Sequence, residues 1–303
     1  MSAIRLVKRK EIDEVLWNEC ILQSSHSLPY GLSWYLDSVA ENWDALVLEN
    51  YRAVMPLVWL RKLGVRVLYQ PYYCQQLGVF GKPVSAQVMA LFLKEASSRF
   101  PYIHINLHAQ TALETESLKL KKRKNLLLDL NRDYTTIRKG YSQNHRRNMA
   151  KAEKAGLRFS ASESLRNFQS FYLENVRHTG EKFEPQHEKI FLRLTKEILA
   201  HRYGQIYAML LDNKLVAASL VLFHPHRFIN VINTSNTAGK ETGASHGLFD
   251  KIIQIHANTP AVFDFEGSSI PAIARFYQGF GPVEETFYLY QTNLLKSLSQ
   301  RIR

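Results

Sequence analysis

The chain has 303 residues, of which 46% are hydrophobic and 12% are aromatic. This composition supports one large or two ordinary cores, favours two domains, and excludes a disordered tail protein. The formal net charge of +12 and the sequence pI of about 9.6 favour a polyanionic partner: nucleic acid, a nucleotide-linked substrate, a pyrophosphate-bearing cofactor or an anionic membrane surface.

Cys20 and Cys74 are the only cysteines, too few for a disulfide framework and without the paired spacing of a zinc site. Residues 1–10 contain no apolar segment of signal-peptide length, and residues 53–60 are too few to cross a bilayer. We therefore expect a cytoplasmic protein without a membrane span.

Histidines give no metal signal. His224 and His226 flank Pro225 as turn residues, and no third ligand follows at a useful spacing. We expect no metal site.

The first half predicts helices followed by an antiparallel meander. In chain order, the pattern indicates helices over residues 10–22 and 32–41, a hairpin of strands over 45–50 and 51–60, a strand over 65–69, a helix over 88–100, and strands over 102–107 and 125–130.

The second half predicts the same order. Helices are expected over residues 143–155, 163–178 and 187–201, a hairpin over 208–213 and 214–223, a strand over 228–233, a helix over 248–257, and strands over 261–265 and 286–295.

This order amounts to an internal repeat. The first hairpin carries Glu49 and Asn50 at its turn, the second carries Asp212 and Asn213, and the offset is 212 − 49 = 163 positions. We predict a mixed α/β fold of two similar domains, each a largely antiparallel sheet about six strands wide, flanked by helices. The expected boundaries are 1–135 and 136–303, with the last strand packing on the first domain.

Basic residues concentrate over residues 119–124 and 138–154. In the second region Ser142 is a predicted N-cap and Gly156 a predicted left-handed terminator of a helix. Arg147 and Lys151 then share one stripe, which is either a solvated surface or a clamp for phosphate groups.

The segment over residues 263–281 brings carboxylates and hydroxyls to the end of an apolar strand. Asp264 and Glu266 alternate along that strand, so they are expected on one face as a coupled acid and base. The alternative is that one of them is a structural carboxylate that caps the turn. Ser268 follows as a candidate substrate contact.

Two motifs carry a family resemblance. Residues 146–156, RRNMAKAEKAG, and the strand and loop over 263–281 resemble signatures of the FemABX-type peptidyltransferases and the CelD/BioF-like acyltransferases. The resemblance covers the second half by motif and the first half through the repeat. It implies a tandem pair of domains like those of the Gcn5-related N-acyltransferases (GNAT), and transfer of an acyl group from acyl-CoA or aminoacyl-tRNA to an amine by direct attack.

The resemblance also implies site residues. Backbone groups between separated central strands would bind the acyl carbonyl, and the following helix start would meet the carrier's phosphates. That start is expected at Gly243, Ala244, Ser245, His246 and Gly247, although an ordinary glycine turn has the same composition. Arg275 is an expected substrate contact.

This sequence departs from the family at Tyr277, where FemABX-type loops usually have lysine, and at Gly281-Pro282, where they tend to have two glycines. Tyr277 is an expected general acid, and the departures favour acyl-CoA as co-substrate over aminoacyl-tRNA. No tightly bound cofactor is expected.

The first half is expected to be non-catalytic, because its strand has His104 and Asn106 where the second half has acids. Tyr72 and Tyr73 either line the acceptor side of a cleft or serve in packing. Three functions stay open: acyl transfer from acyl-CoA to an amine, aminoacyl-tRNA-dependent transfer to a cell-wall precursor, and nucleotide or RNA binding on a degenerate transferase fold.

Overall fold

Two hydrophobic cores divide the chain into two units. The computed structural model describes residues 4–109, 120–178 and 184–292. Unit 1 comprises residues 1–123 and 286–303, and unit 2 comprises residues 124–285. Phe92 and Ile103 lie in the core of the first, and Phe249 and Phe263 in the core of the second.

Unit 1 is a sheet with helices formed by the first third of the chain. Its elements are β1 (Ile4–Lys8), α1 (Glu14–Leu22), α2 (Ser33–Val39), β2 (Trp43–Leu48), β3 (Ala53–Lys62), β4 (Val65–Tyr69), β5 (Phe80–Gly81), α3 (Ala86–Arg99) and β6 (Tyr102–Leu107). The strand order is β1-β2-β3-β4-β6, with β5 beside β3, and β4 and β6 are parallel while the other pairs are antiparallel.

Unit 2 has the same plan. Its elements are β7 (Leu120–Asp129), α4 (Tyr134–Lys139), α5 (Gln143–Lys154), β8 (Arg158–Ser160), α6 (Leu165–His178), α7 (Pro185–Ala200), β9 (Gly204–Leu211), β10 (Lys214–His224), β11 (Arg227–Ser235), α8 (Thr237–Thr242), α9 (Ala244–His256), β12 (Val262–Asp264), α10 (Pro271–Gln278) and β13 (Val283–Gln291). The strand order is β8-β9-β10-β11-β12-β7, and β11 and β12 form the parallel pair.

The unit boundaries fall inside two strands. Leu127–Asp129 of β7 pair with β12, which ties the chain to unit 2 from Lys124 onward. Tyr288–Gln291 of β13 pair with β6, so the chain returns to unit 1 at Thr286. The division therefore lies at Arg123 rather than near residue 135.

The predicted fold class and repeat are confirmed. The strand over 65–69 has the predicted bounds, and the two hairpins, β2–β3 and β9–β10, lie where the pattern placed them. Two parts of the predicted elements lie outside the described residues: Lys119, at the start of the basic run, and residues 293–295, at the end of the closing strand. Among the described residues, no helix is long and apolar enough to cross a membrane.

The termini of α5 follow the sequence signals. The Ser142 hydroxyl accepts a hydrogen bond from the backbone N–H of His145 at 3.2 Å. Gly156 has φ +69°, the left-handed conformation that glycine adopts without strain. Both predictions are confirmed, and they fix the register in which Met149 and Ala152 are buried.

Candidate functional site

The parallel strands of unit 2 separate near their carboxyl ends. Pairing between β11 and β12 runs from Arg227–Val262 to Ile229–Asp264. β12 ends at Asp264, whereas β11 continues to Ser235. Because the ends of neighbouring parallel strands form a crevice when they part, this is the place in unit 2 where a ligand can reach backbone groups.

A bulge in β11 marks the point of separation. Val221 of β10 pairs with Asn230, and the preceding Leu220 pairs with Ile232, so β11 holds one extra residue at Val231. A bulge redirects the side chains beyond it. Asn230 and Asn233 consequently reach the same acceptor, although they are three positions apart and simple alternation would place them on opposite faces.

That acceptor is Tyr277 of α10. Its hydroxyl accepts a hydrogen bond from Asn230 Nδ2 at 2.9 Å and another from Asn233 Nδ2 at 2.9 Å. The ring is almost fully buried against Phe249 and Phe265. Burial raises the pKa of Tyr277, and the two amide donors act in the opposite direction. The predicted general acid therefore lies at the separation of the strands as a neutral phenol.

Asp264, a predicted catalytic residue, is fully enclosed by protein. Its carboxylate accepts from Arg227 Nη1 at 3.0 Å, from Asn125 Nδ2 at 3.0 Å and from the backbone N–H of Glu266 at 3.0 Å. Burial raises its pKa, and the Arg227 charge opposes that rise. Because a guanidinium, a side-chain amide and a backbone N–H already donate to this carboxylate, its contacts argue for a structural role and against a direct role as base.

Glu266 does not continue the strand, so the predicted alternation with Asp264 is wrong. Its backbone has φ +50°, and Gly267 follows with φ +61°. This left-handed turn takes the chain out of the sheet. The carboxylate that lies close enough to Asp264 to raise its pKa is Glu285, and Arg227 Nη2 donates to Glu285 at 3.0 Å. The coupled pair predicted between Asp264 and Glu266 is thus replaced by the arrangement of Asp264, Arg227 and Glu285.

Ser268 and Arg275 occupy opposite environments. Ser268 is buried, and its hydroxyl donates to the Glu266 carbonyl at 3.1 Å. That bond closes the turn after β12, so the structure gives Ser268 a local structural contact. Arg275 is exposed on α10.

The predicted phosphate-binding segment is divided by a helix break. α8 ends at Thr242, and Gly243 adopts φ +75° before α9 begins at Ala244. A side chain at Gly243 would meet the Asn148 carbonyl at 2.6 Å, and one at Gly247 would lie 3.2 Å from Ala152. The close backbone approach that these small residues permit is therefore made by α5. Ser245 and His246 are partly exposed in the first turn of α9.

His246 belongs to an aromatic cluster. Its ring centroid is 4.6 Å from that of His145 and 4.9 Å from that of Phe276. Burial lowers the pKa of His246 to about 4, with a smaller contribution from the charge of His145, and burial also lowers the pKa of His145. Both rings are neutral near pH 7, which suits packing against phenylalanine.

Arg147 and Lys151 are exposed on α5, one helical turn apart. Their predicted common stripe is confirmed, because the buried face of the helix is formed by other residues. In the part of the chain that the structure describes, no hydrogen bond or ion pair to either side chain distinguishes a phosphate clamp from a solvated surface.

Tyr72 and Tyr73 lie in unit 1, in the segment after β4. Tyr72 is 51% exposed, whereas Tyr73 is partly buried with φ +59°, and its carbonyl accepts from the Tyr35 hydroxyl. The packing interpretation fits Tyr73, and exposure leaves Tyr72 open to a ligand.

A cavity of about 820 Å³ opens in unit 2 beside α6. Its wall includes Glu174 and Asn175 of α6, Lys214 at the start of β10, and Asn236 just after β11. Asn236 is three residues beyond Asn233, so their Cα atoms are at most about 11 Å apart. The cavity thus lies near the strand end that carries the Tyr277 contacts, and a polar lining suits a small hydrophilic molecule.

Sequence reasoning missed three residues of this site: Arg227, Asn230 and Asn233. Arg227 directly follows a hairpin turn, and its partners lie 37 and 58 positions further along the chain. The two asparagines stand in an apolar strand, INVINTS, where amides are costly unless they are hydrogen-bonded. The free-energy cost of burying two amides in this strand could have indicated that they have hydrogen-bonding partners. Over the ranges that the structure describes, no group of three His, Cys, Asp or Glu side chains is arranged to bind a metal ion.

Comparison with known proteins finds a family model that matches within unit 2. Residues 139–267 match the family described as acetyltransferase (GNAT) domain. The predicted relation to the GNAT superfamily, and with it the prediction of an acyltransferase, is confirmed. No curated protein matches the chain by sequence.

Solved structures share the fold over both units. FemX is similar with a TM-score of 0.66 and 10% identity over 96% of this chain and 98% of FemX. L-PGS from Bacillus licheniformis has a TM-score of 0.58 and 13% identity, over 95% of this chain and 94% of that chain. A tandem GNAT protein from the clavulanic acid biosynthesis pathway has a TM-score of 0.55 and 10% identity, over 96% and 98%. At these identities the likeness concerns the fold, and it agrees with the predicted tandem arrangement.

Proposed function

We propose that the chain is a cytoplasmic N-acyltransferase that uses acyl-CoA as donor and a small polar amine as acceptor, with the reaction in unit 2. The observation that carries this proposal is the Tyr277 hydroxyl at the separation of β11 and β12. A proton donor at this position suits direct transfer, in which the departing sulfur must be neutralised.

The proposed reaction has one covalent exchange. The neutral amine nitrogen attacks the thioester carbon, a C–N bond forms, and the carbonyl oxygen becomes an oxyanion. When the oxyanion collapses, the C–S bond breaks and the thiolate takes the Tyr277 proton. The proton lost by the amine passes to Glu266, which is partly exposed and lies two residues beyond the end of β12. Proton exchange with water then restores both side chains.

The remaining elements have supporting roles in this proposal. Asp264 positions the turn that carries Glu266, because its carboxylate accepts the Glu266 backbone N–H. Within the first turn of α9, residues 243–247, the backbone N–H groups of Ala244 and Ser245 meet the carrier's phosphates, because those of Gly243, His246 and Gly247 donate within the chain. The acceptor enters the cavity beside α6, where Glu174 attracts an ammonium group before its deprotonation. Unit 1 supplies no reacting group.

A second donor, aminoacyl-tRNA, is favoured by one observation. Arg147 and Lys151 are both exposed on α5 and match the spacing of a phosphate-binding stripe. Under this alternative the same Tyr277 would protonate the ribose oxygen that leaves.

Thermal unfolding in the presence of acyl-CoA or tRNA distinguishes the two proposed donors. A donor present at a hundred times its dissociation constant should stabilise the protein by about 2.7 kcal/mol. We expect acetyl- or longer acyl-CoA to raise Tm and uncharged tRNA to leave it unchanged. A rise with tRNA that Arg147→Gln/Lys151→Gln abolishes, without any rise from acyl-CoA, would replace the proposal by its alternative.

Activity provides the second test. Tyr277→Phe retains the ring, so CoA release with a panel of polar amines should fall by about 10² or more while the Tm shift with acyl-CoA persists. Gln278→Ala, on the exposed face of the same helix, is the matched control. Wild-type turnover by Tyr277→Phe would remove Tyr277 from the mechanism.

A further inference from the structure

We propose that Asn230 and Asn233 form an oxyanion cradle for Tyr277, which stabilises the phenolate that remains after the Tyr277 proton has passed to the leaving group. This inference rests on the proposed function, in which Tyr277 is the general acid. The side-chain amides of Asn230 and Asn233 would stabilise the phenolate that Tyr277 becomes. It adds two positioning residues that act through Tyr277.

The geometry of the phenol oxygen is the first argument. A tyrosine hydroxyl has one proton to donate and can accept two hydrogen bonds. Both acceptor directions are used here, by Asn230 Nδ2 and Asn233 Nδ2 at 2.9 Å each. Within the described residues no acceptor is recorded for the Tyr277 proton itself. With both acceptor directions in use, the hydrogen-bonding capacity that remains at this hydroxyl is its own proton.

The orientation of the Asn230 amide is fixed by its other bonds. Asn230 Nδ2 also donates to the Phe265 carbonyl at 3.2 Å, and a carbonyl oxygen can only accept. Ser219 Oγ donates to Asn230 Oδ1 at 2.7 Å from the opposite side. Both residues are almost completely buried. The nitrogen of Asn230 must consequently face Tyr277, so the amide donates to the phenol oxygen.

The energetic argument concerns the charged state. Taking a phenolate out of water is costly, and burial is the largest influence on Tyr277. Two N–H groups aimed at the oxygen favour the anion, because a hydrogen bond to an ionised acceptor is roughly twice as strong as one to a neutral group. The pair thus contributes more after proton transfer than before it, which is the condition for accelerating the step.

Asn233 is the better residue for a test. It is exposed, and Tyr277 is its one recorded side-chain partner among the described residues. Asn233→Leu therefore removes one donor without opening the buried network around Asn230. Thr234→Val, on the next residue of β11, is the matched control. Circular dichroism and Tm establish that both variants are folded.

The first measurement needs no substrate. A fluorinated tyrosine, whose phenol ionises at lower pH than that of tyrosine, is placed at position 277 and titrated by ultraviolet absorbance. We expect Asn233→Leu to raise the phenol pKa by about one unit, since one donor to the anion is lost. Thr234→Val should leave it unchanged. An unchanged or lower pKa in Asn233→Leu overturns the proposal.

The second measurement separates acid catalysis from structural damage. Transfer is compared for two thioesters of the same acyl group, one of N-acetylcysteamine and one of thiophenol. The alkyl thiolate is the more basic leaving group and needs the proton, so Asn233→Leu should lower kcat/KM for it by about tenfold or more. The aryl thioester should lose less than about threefold.

The outcomes are distinguishable. Equal losses for both thioesters indicate a structural effect and contradict the cradle. If wild-type protein transfers no acyl group from any thioester, the proposed function fails, whereas the titration still decides whether Asn233 stabilises the Tyr277 anion.

Discussion

Arg227 and Asp264 form a buried ion pair at the start of the separated strands, with 3.0 Å between Arg227 Nη1 and Asp264 Oδ2. Arg227 begins β11, and Asp264 ends β12. The same guanidinium donates to Glu285 through Nη2 at 3.0 Å. One arginine thereby holds two carboxylates, and its charge offsets their mutual repulsion.

We expect loss of one partner of this pair to destabilise unit 2. Asp264→Asn removes one of the two carboxylates that accept from Arg227 and should cost about 3 kcal/mol in the free energy of unfolding, because breaking a buried pair leaves part of a charge uncompensated. Urea unfolding measures the change. The double variant Arg227→Met/Asp264→Asn should cost less than the sum of the two single changes. Additive losses would show that the two side chains do not interact.

This prediction also distinguishes the role of Asp264 from that proposed for Glu266. The sequence alone favoured both as catalytic carboxylates. The structure gives Asp264 a stabilising role, so reduced activity in Asp264→Asn should accompany reduced stability.

The ring of His145 leaves no space for a side chain at position 279, so only glycine fits there without rearrangement. A Cβ at position 279 would come within van der Waals overlap of the imidazole, with 2.0 Å to Nδ1. The backbone at Gly279 has φ −67°, so the expected cost of Gly279→Ala is steric and should reach about 2 kcal/mol. Denaturant unfolding checks it.

Two variants serve as controls for Gly279→Ala. Gly156→Ala has open space around the new Cβ but φ +69°, so it should cost only the backbone strain, about 1 kcal/mol. His145→Ala should restore part of the stability lost in Gly279→Ala, because it removes the ring that the new methyl group meets. A loss in Gly279→Ala that is unchanged in the His145→Ala background would exclude this contact as the cause.

The sequence predicted the fold well because its signals were local and occurred twice. Strand alternation, glycine turns and helix caps fixed most elements, and the two hairpins at corresponding positions revealed the repeat. The arrangement of side chains where β11 and β12 separate depends on contacts between residues far apart in the sequence, which no local pattern encodes. Arg227 meets Asp264 across 37 positions, and Asn230 meets Tyr277 across 47.

Two backbone irregularities account for the errors at the site. The left-handed conformation of Glu266 removed it from the strand whose period was used to pair it with Asp264. The bulge at Val231 brought Asn230 and Asn233 to one side, although simple alternation would separate them. Both irregularities lie at the strand ends where the proposed chemistry occurs, which is where local rules are most often broken.

Acidification should destabilise unit 2 through His246. Its folded pKa, about 4, lies below its ordinary value of 6.5, so the unfolded chain binds a proton more readily than the folded one. The corresponding stability is fully present above pH 6.5 and is lost as pH falls toward 4. Because the ring is partly exposed, we expect a loss of about 1 kcal/mol between pH 7 and 5.

Urea unfolding at several pH values measures this dependence. His246→Phe keeps an aromatic ring beside Phe276 and should flatten the slope between pH 7 and 5. His201→Asn, which replaces an exposed histidine of the same unit, is the control. A wild-type slope in His246→Phe would assign the acid sensitivity to other groups.

Glu266, which is partly exposed in the turn after β12, is the proposed base. Glu266→Gln removes its charge and keeps its size, and the left-handed backbone is equally accessible to both residues. We expect kcat to fall by about 10² with Tm unchanged, and the acidic limb of the rate profile to disappear, because that limb reports protonation of the base. Steady-state rates between pH 5 and 9 measure both effects.

Glu284→Gln, whose carboxylate accepts from Lys124 at 2.9 Å on the exposed surface, should keep the wild-type profile. An intact acidic limb in Glu266→Gln, with little change in kcat, would assign the amine's proton to solvent or to another residue.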